Sequence, residues 1–140
     1  MAWLLDTNIC AYALKKKPAL VLSRLKRTEP SEVRISVITV YELFTGCEKS
    51  SAKDRLIREV SQFLWPFSLL DFSEEHARRA ATVRANLELR GTPIGPYDVL
   101  LAAQALSENL VLVTNNTREF QRVKGLRLQD WSSRKSRKRN

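Results

Sequence analysis

Trp3-Leu4-Leu5-Asp6-Thr7-Asn8-Ile9-Cys10-Ala11-Tyr12 decides how this chain is read. Three apolar residues form a short buried strand, and Asp6 stands where that strand stops and a helix begins. A carboxylate just past the end of a central strand lies where open α/β folds place their chemistry, at the carboxyl edge of the sheet. Asp, Thr and Asn are also good helix caps, and taken alone a cap is the simpler account of Asp6. What stands at the ends of the other segments decides between the two.

Ile9 to Leu14 continue as a short helix that runs into Lys15-Lys16-Lys17, cations suited to a helix C-terminus, before Pro18 opens the next helix. Leu20, Val21, Leu22 and Leu25 recur at helical spacing up to Thr28. Glu29 to Glu32 is a loop, and Val33-Arg34-Ile35-Ser36 alternates as a second strand. From Ser36 to Cys47 only Glu42 is charged, and Val37, Ile38, Val40, Tyr41, Leu43 and Phe44 surround it, which predicts a buried helix. An ionised carboxylate there needs a counter-charge or a metal, or it protonates; alternatively, Thr39 and Glu42 form a narrow solvated stripe.

Glu48 to Ala52 reads as a turn and Arg55 to Trp65 as an amphipathic helix ended by Pro66. Phe67 to Phe72 reads as a third strand. Ser73-Glu74-Glu75 starts a long helix through Arg90, whose apolar stripe holds Ala77, Ala80, Ala81, Val83 and Leu87. Arg84 falls inside that stripe, where a carboxylate, a substrate phosphate or snorkelling to water would accommodate it. Gly91 to Gly95 breaks the helix, and Pro96-Tyr97-Asp98 opens another that is apolar nearly all round and therefore central. Asp98 in its first turn is favoured by the helix dipole whatever else it does. Leu110 to Thr114 is the clearest strand, followed at once by Asn115-Asn116-Thr117-Arg118-Glu119-Phe120, and Gly125 to Leu128 is an edge strand.

Strands alternate with helices throughout, so the expected fold class is α/β, a mostly parallel central sheet flanked by helices on both faces. Right-handed crossovers then bring the carboxyl ends of the strands to one edge. Asp6 and the turn from Asn115 to Glu119 follow strands directly, Glu42 lies on the helix after a third, and Asp98 starts a helix facing the same side. Each acid has a separate dull explanation, but four dull explanations do not predict a shared edge.

The 140 residues suit one domain, expected over 1–131, with 132–140 a basic, disordered tail. Arg134, Lys135, Arg137, Lys138 and Arg139 carry five of the nine surplus positive charges. Such an arm suits a polyanion, since each cation that meets a phosphate releases counterions, and it equally suits mere solubility. Apolar content of 44% and charged content of 28% are those of a soluble globular protein. Without an apolar run near the ~20 residues of a membrane span, or a secretory leader, the expected location is cytoplasmic and away from membranes. Cys10 and Cys47 are far apart and the one histidine, His76, has no partner of the zinc-ligand type, which excludes a zinc centre and a histidine-pair nuclease. Carboxylates that share a pocket repel unless something neutralises them, and all-oxygen ligation selects Mg²⁺, with Mn²⁺ a substitute. Metal-dependent phosphodiester hydrolysis fits both the acids and the basic surface.

LLDTNIC at Asp6, ISVITVYEL at Glu42, GTPIGPYDVLLAAQAL at Asp98 and LVTNNTREF at the last long strand, in this order and spacing, resemble the PIN-domain ribonucleases, most closely the VapC-type toxins of bacterial toxin–antitoxin pairs. The resemblance runs from Leu4 to about Trp131. It implies a PIN-like three-layer sandwich and a Mg²⁺-dependent endoribonuclease specific for single strands in structured RNA, with tRNA a frequent substrate. It also implies a homodimer, a small inhibitory antitoxin, and a higher assembly of toxin, antitoxin and operator DNA. The family's acidic set falls on Asp6, Glu42 and Asp98: the two aspartates as metal ligands, Glu42 as a ligand or as the group that positions the attacking water. Many members carry a fourth acid after the strand-ending Thr; here Asn116 stands there with Glu119 nearby, leaving a fourth acid and a second ion open. Thr114 and Asn116 are expected to orient water or carboxylates by hydrogen bonds, with Thr114 and Glu119 accessory.

Two rivals remain at this level. A phosphatase or receiver-like domain would use Asp6 as nucleophile, but such enzymes want a second acid where Asn8 stands. A catalytically silent RNA-binding module would need only the basic arm.

Overall fold

The computed structural model describes residues 1–133, so Arg134 and the rest of the expected tail lie outside the described residues. Five strands, β1 (Trp3–Leu5), β2 (Val33–Ser36), β3 (Ser68–Leu70), β4 (Val111–Val113) and β5 (Leu128–Gln129), form one sheet in the order β3-β2-β1-β4-β5. Every pairing is parallel, with Leu5 beside Ile35 on one side and Val113 on the other. The helices are α1 (Thr7–Lys15), α2 (Ala19–Lys26), α3 (Val37–Glu48), α4 (Lys53–Leu64), α5 (Glu74–Leu89), α6 (Pro96–Glu108) and the short α7 (Thr117–Phe120).

The strands are short because each needs only enough residues to feed both layers. Side chains alternate across a strand. Trp3, Leu5, Val33, Ile35, Val111 and Val113 therefore pack against α1 to α4, while Leu4, Leu70 and Leu112 pack against α5 and α6. Leu4, Leu5, Ile35, Leu112 and Val113 are fully buried, and each such side chain contributes ~1.5–3 kcal/mol relative to leaving it in water. The result is the expected three-layer sandwich. Trp131, buried edge-on against Trp3 at a centroid distance of 5.5 Å, closes one end of the first layer.

The chain passes from β1 to β2 and β3 on one side of the sheet, then returns to β4 on the other. That reversal leaves a crevice outside the carboxyl ends of β1 and β4, the topological switch point at which open sheets bind ligands.

Several local expectations need correction. On α3 Tyr41 is exposed, so the helix is half-buried rather than enclosed. Ala77 and Ala81 face solvent, and α5 buries only His76, Ala80, Val83 and Leu87. Arg84 sits outside that narrower stripe and pairs with Glu88 at 2.6 Å. The segment 29–32 holds a 3-10 turn over Pro30–Glu32. The last strand starts at Leu128 rather than Gly125, because Gly125 turns the chain with φ +83, a conformation that removes it from a ladder.

Candidate active site

The backbone N–H of Asp6 donates to the Val113 carbonyl at 3.0 Å, so Asp6 is held by the sheet itself before its side chain does anything. Its Oδ1 then accepts the Ile9 N–H at 2.9 Å, which makes it the N-cap of α1. The cap and the site reading of Asp6 are thus both true, since capping occupies only one of the two carboxylate oxygens. Asp6 is buried, and burial is the main reason its carboxyl is pushed up to about 6. Hydrogen bonds from the Thr114 side chain and the Ile9 amide pull the other way, and the charges of Asp98 and then Glu42 push it further up.

Asp98 occupies the third residue of α6, where Gly95 is the N-cap and Pro96 starts the first turn. It is half-buried, and its carboxyl also stands at about 6, raised by burial first, then by Glu119 and Glu42. Among the described residues no Lys or Arg enters the balance of either aspartate. The sheet edge therefore collects like charge without a protein cation to offset it.

Glu42 projects from α3 on the side of α1. Thr7 Oγ1 donates to Glu42 Oε1 at 2.6 Å and lies 3.1 Å from the hydroxyl of Thr39, which is fully buried. Thr39 and Glu42 are a polar stripe, as one expectation had it, but a stripe turned toward Asp6 rather than to bulk water. Thr114 is buried and its Oγ1 accepts the Asn116 N–H at 2.9 Å while its side chain bonds Asp6. Asn116 donates through Nδ2 to Glu119 Oε2, and Glu119 Oε1 accepts the Gly95 N–H at 2.9 Å.

The structure thus brings Asp6, Glu42, Asp98 and Glu119 within electrostatic reach, with Thr114 and Asn116 among them as hydrogen-bonding neighbours. Asn8 is exposed on the first turn of α1 and supplies no second acid for a phosphatase-type reaction. His76 is remote from this chemistry in role: it is buried, completes the Ser73 capping box of α5 and meets Glu108 at 2.9 Å. Thr7 and Thr39 are site residues that sequence reasoning missed. Their signal was present in the threonines beside Asp6 and one turn before Glu42, but a Thr at those positions equally caps a helix or faces water.

Among the described residues, no three His, Cys, Asp or Glu side chains form a closed metal-binding group. A closed group is not what the donor set asks for. Mg²⁺ keeps several waters and takes one or two carboxylates, and two aspartates that each protonate near pH 6 for want of a counter-charge fit such an ion.

Against this geometry, a family model described as the PIN domain matches residues 3–126. The chain is 41% identical over 132 residues to the tRNA(fMet)-specific endonuclease VapC of Shigella flexneri, covering 94% of this chain and 99% of that one. It is 40% identical over 131 residues to ribonuclease VapC2 of Haemophilus influenzae, with 94% and 98% covered. The crystal structure of DNA-bound VapBC from Salmonella typhimurium contains a chain of 41% identity that superposes with a TM-score of 0.88, covering 94% of this chain and 98% of that one.

Proposed function

The chain belongs to the PIN-domain family, and from that premise we propose that it is a Mg²⁺-dependent endoribonuclease, acting on tRNA or other structured RNA as the toxin of a toxin–antitoxin pair. The observation that carries the reading is the pairing of Asp6 and Asp98, two carboxylates raised to about 6 at the switch point of the sheet with no cation of the chain beside them.

In this reading Asp6 and Asp98 hold the ion, and Mn²⁺ substitutes for Mg²⁺. When bound, a divalent ion polarises a phosphoryl oxygen and lowers the pKa of a coordinated water. Glu42, fixed through the Thr7 hydroxyl, orients the attacking water and accepts its proton. Thr114 keeps Asp6 in place from the end of β4, and Asn116 with Glu119 fixes the turn that faces α6.

The same reading supplies the partners: an antitoxin chain, a second copy of the toxin, and operator DNA bound through the antitoxin. A groove of about 460 Å³ between α1, α3 and α4 suits an antitoxin segment. Ala11, Leu14, Leu43, Leu56 and Val60 line it, and Thr7 and Glu42 stand at its rim, so an occupant would reach the acids. The basic residues after Ser133 add a sequence-independent hold on RNA, and residues 1–131 carry the nuclease itself. No helix among the described residues is long and apolar enough to cross a membrane, and a cytoplasmic location is the reading that fits an RNA substrate.

Purified protein incubated with a tRNA pool tests the proposal. Cleavage is expected with Mg²⁺ or Mn²⁺ and none with chelator; undiminished cleavage in chelator would overturn it.

A further inference from the structure

Two tyrosines stand immediately before two of the acids, and no step above uses them. Tyr41 precedes Glu42 on α3 and Tyr97 precedes Asp98 on α6. The helices bring the rings together edge-on, with centroids 5.6 Å apart, an interplanar angle of 73° and hydroxyls 3.1 Å from each other. Both remain in water, Tyr41 at 54% and Tyr97 at 41% of full exposure. An edge-on pair covers one edge and leaves ring faces open. Exposed aromatic area of this kind returns little to stability, and a single surface hydrogen bond replaces one to water at a net gain of about 1 kcal/mol or less.

A nuclease site built from acids has a difficulty that these rings answer. The carboxylates that hold the ion repel the phosphates of the substrate until the ion is present, so RNA must be held beside them by something indifferent to charge. A base stacked on an aromatic face is such a hold, and every base offers one. Only an unpaired base can leave its neighbours to do so.

We infer that Tyr41 and Tyr97 form a stacking platform for one unpaired base of the RNA, next to the phosphodiester to be cut. This inference rests on the nuclease reading above. The platform holds the substrate through a ring face, so Tyr41 and Tyr97 are substrate-contacting residues whose loss weakens binding more than turnover. The hydroxyl pair fixes the two rings relative to each other and is secondary to the faces.

Steady-state cleavage of a short single-stranded RNA by the full chain tests this, with Y41A, Y97A, their combination, and the Phe variants. Stacking strengths predict that each Ala change raises KM, the pair together by about 5- to 150-fold, with kcat changed far less. Y41F and Y97F are expected to stay within about 3-fold of the parent, because the faces survive. An abasic nucleotide beside the cut should penalise the parent as the double Ala variant is penalised, and should cost that variant nothing further. Anisotropy of the same RNA without added metal reads binding apart from cleavage. A parent that binds through the tyrosines but never cuts overturns the nuclease reading and leaves the platform standing. A parent that cuts, with Ala variants of unchanged KM or an abasic penalty identical in parent and variant, overturns the platform alone. Thermal melts confirm that the exposed substitutions leave the fold intact.

Discussion

Glu119 accepts the backbone N–H of Gly95 at 2.9 Å, across 24 residues of sequence. Gly95 is the N-cap of α6, so this bond joins the turn after β4 to the first turn of the helix that carries Asp98. Asn116 occupies the other Glu119 oxygen. The two residues that compete for a fourth acidic position therefore act on each other, and both oxygens of Glu119 are already engaged in bracing. Its charge also reaches Asp98, where it is the second cause, after burial, of the raised carboxyl.

Glu119 is accordingly expected to behave as a brace. Glu119→Gln keeps an acceptor for Gly95 and should retain Mg²⁺ affinity within a few-fold. Glu119→Ala leaves the amide without that partner and should lose ~1–2 kcal/mol of stability along with activity. Isothermal titration with Mg²⁺ and chemical denaturation of both variants check this. If Glu119→Gln loses the ion as completely as Asp98→Asn does, Glu119 is a ligand and the brace is incidental.

Asp98→Asn separates the site role of that acid from its place in a helix first turn. Removing a ligand should lower cleavage by more than the ~10–100-fold typical of outer-shell changes. In chelator at pH 7.5 the variant should melt at the same temperature as the parent or above it, since repulsion from Glu119 and Glu42 is relieved. A clear fall in melting temperature in chelator would mean that the dipole, worth ~0.3–1 kcal/mol, outweighs the repulsion.

How much of this was legible in the sequence follows from the range of each signal. The parallel sheet, the order of elements and the shared edge were readable because they depend on alternation and on apolar runs such as Leu110 to Val113, which are local patterns. Asp6, Glu42 and Asp98 were readable as candidates because each stood at an element boundary or alone on an apolar helix. What was not readable depended on rotation about a helix axis. Tyr41 looked like core because its neighbours are apolar, and Ala77 and Ala81 looked like core because alanine suits either environment. The bonds from Thr7 to Glu42 and from Glu119 to Gly95 span 35 and 24 residues, and periodicity carries no information about such pairs.

Thr7 offers the most direct test of how Glu42 is oriented. Its hydroxyl gives Glu42 a hydrogen bond to a charged acceptor, a class worth ~1.5–3 kcal/mol. Thr7→Val keeps the shape and β-branching while deleting that donor. The expected result is a fall in kcat of about 10-fold or more, with KM for RNA and Mg²⁺ affinity little changed, because the aspartates are untouched. Thr7→Ser keeps the hydroxyl and should recover most of the rate. Equal losses in the Val and Ser variants would remove the hydroxyl from the account.

The metal-free protein should carry its strain as a pH dependence that Asp6 alone can reveal. In the folded state its carboxyl stands at about 6 instead of 3.8, chiefly from burial. The folded chain therefore holds a proton that the unfolded chain has released, and stability from this group is fully present below pH 3.8 and lost as the pH rises through 6. A shift of about two units corresponds to ~3 kcal/mol. Asp6→Asn is the appropriate comparison because Asn caps a helix as well as Asp does, so the bond to Ile9 persists while the charge is gone. In chelator, the stability of Asp6→Asn relative to the parent should grow by roughly 3 kcal/mol between pH 4 and pH 7.5, read by urea denaturation at each pH. Mg²⁺ should then reverse the difference, since an ion that binds only the folded parent adds ~2.7 kcal/mol at a hundred times its Kd and adds nothing to a chain that cannot hold it. A difference that stays flat with pH would mean that Asp6 is ionised without cost, and the need for an ion at the sheet edge would go with it.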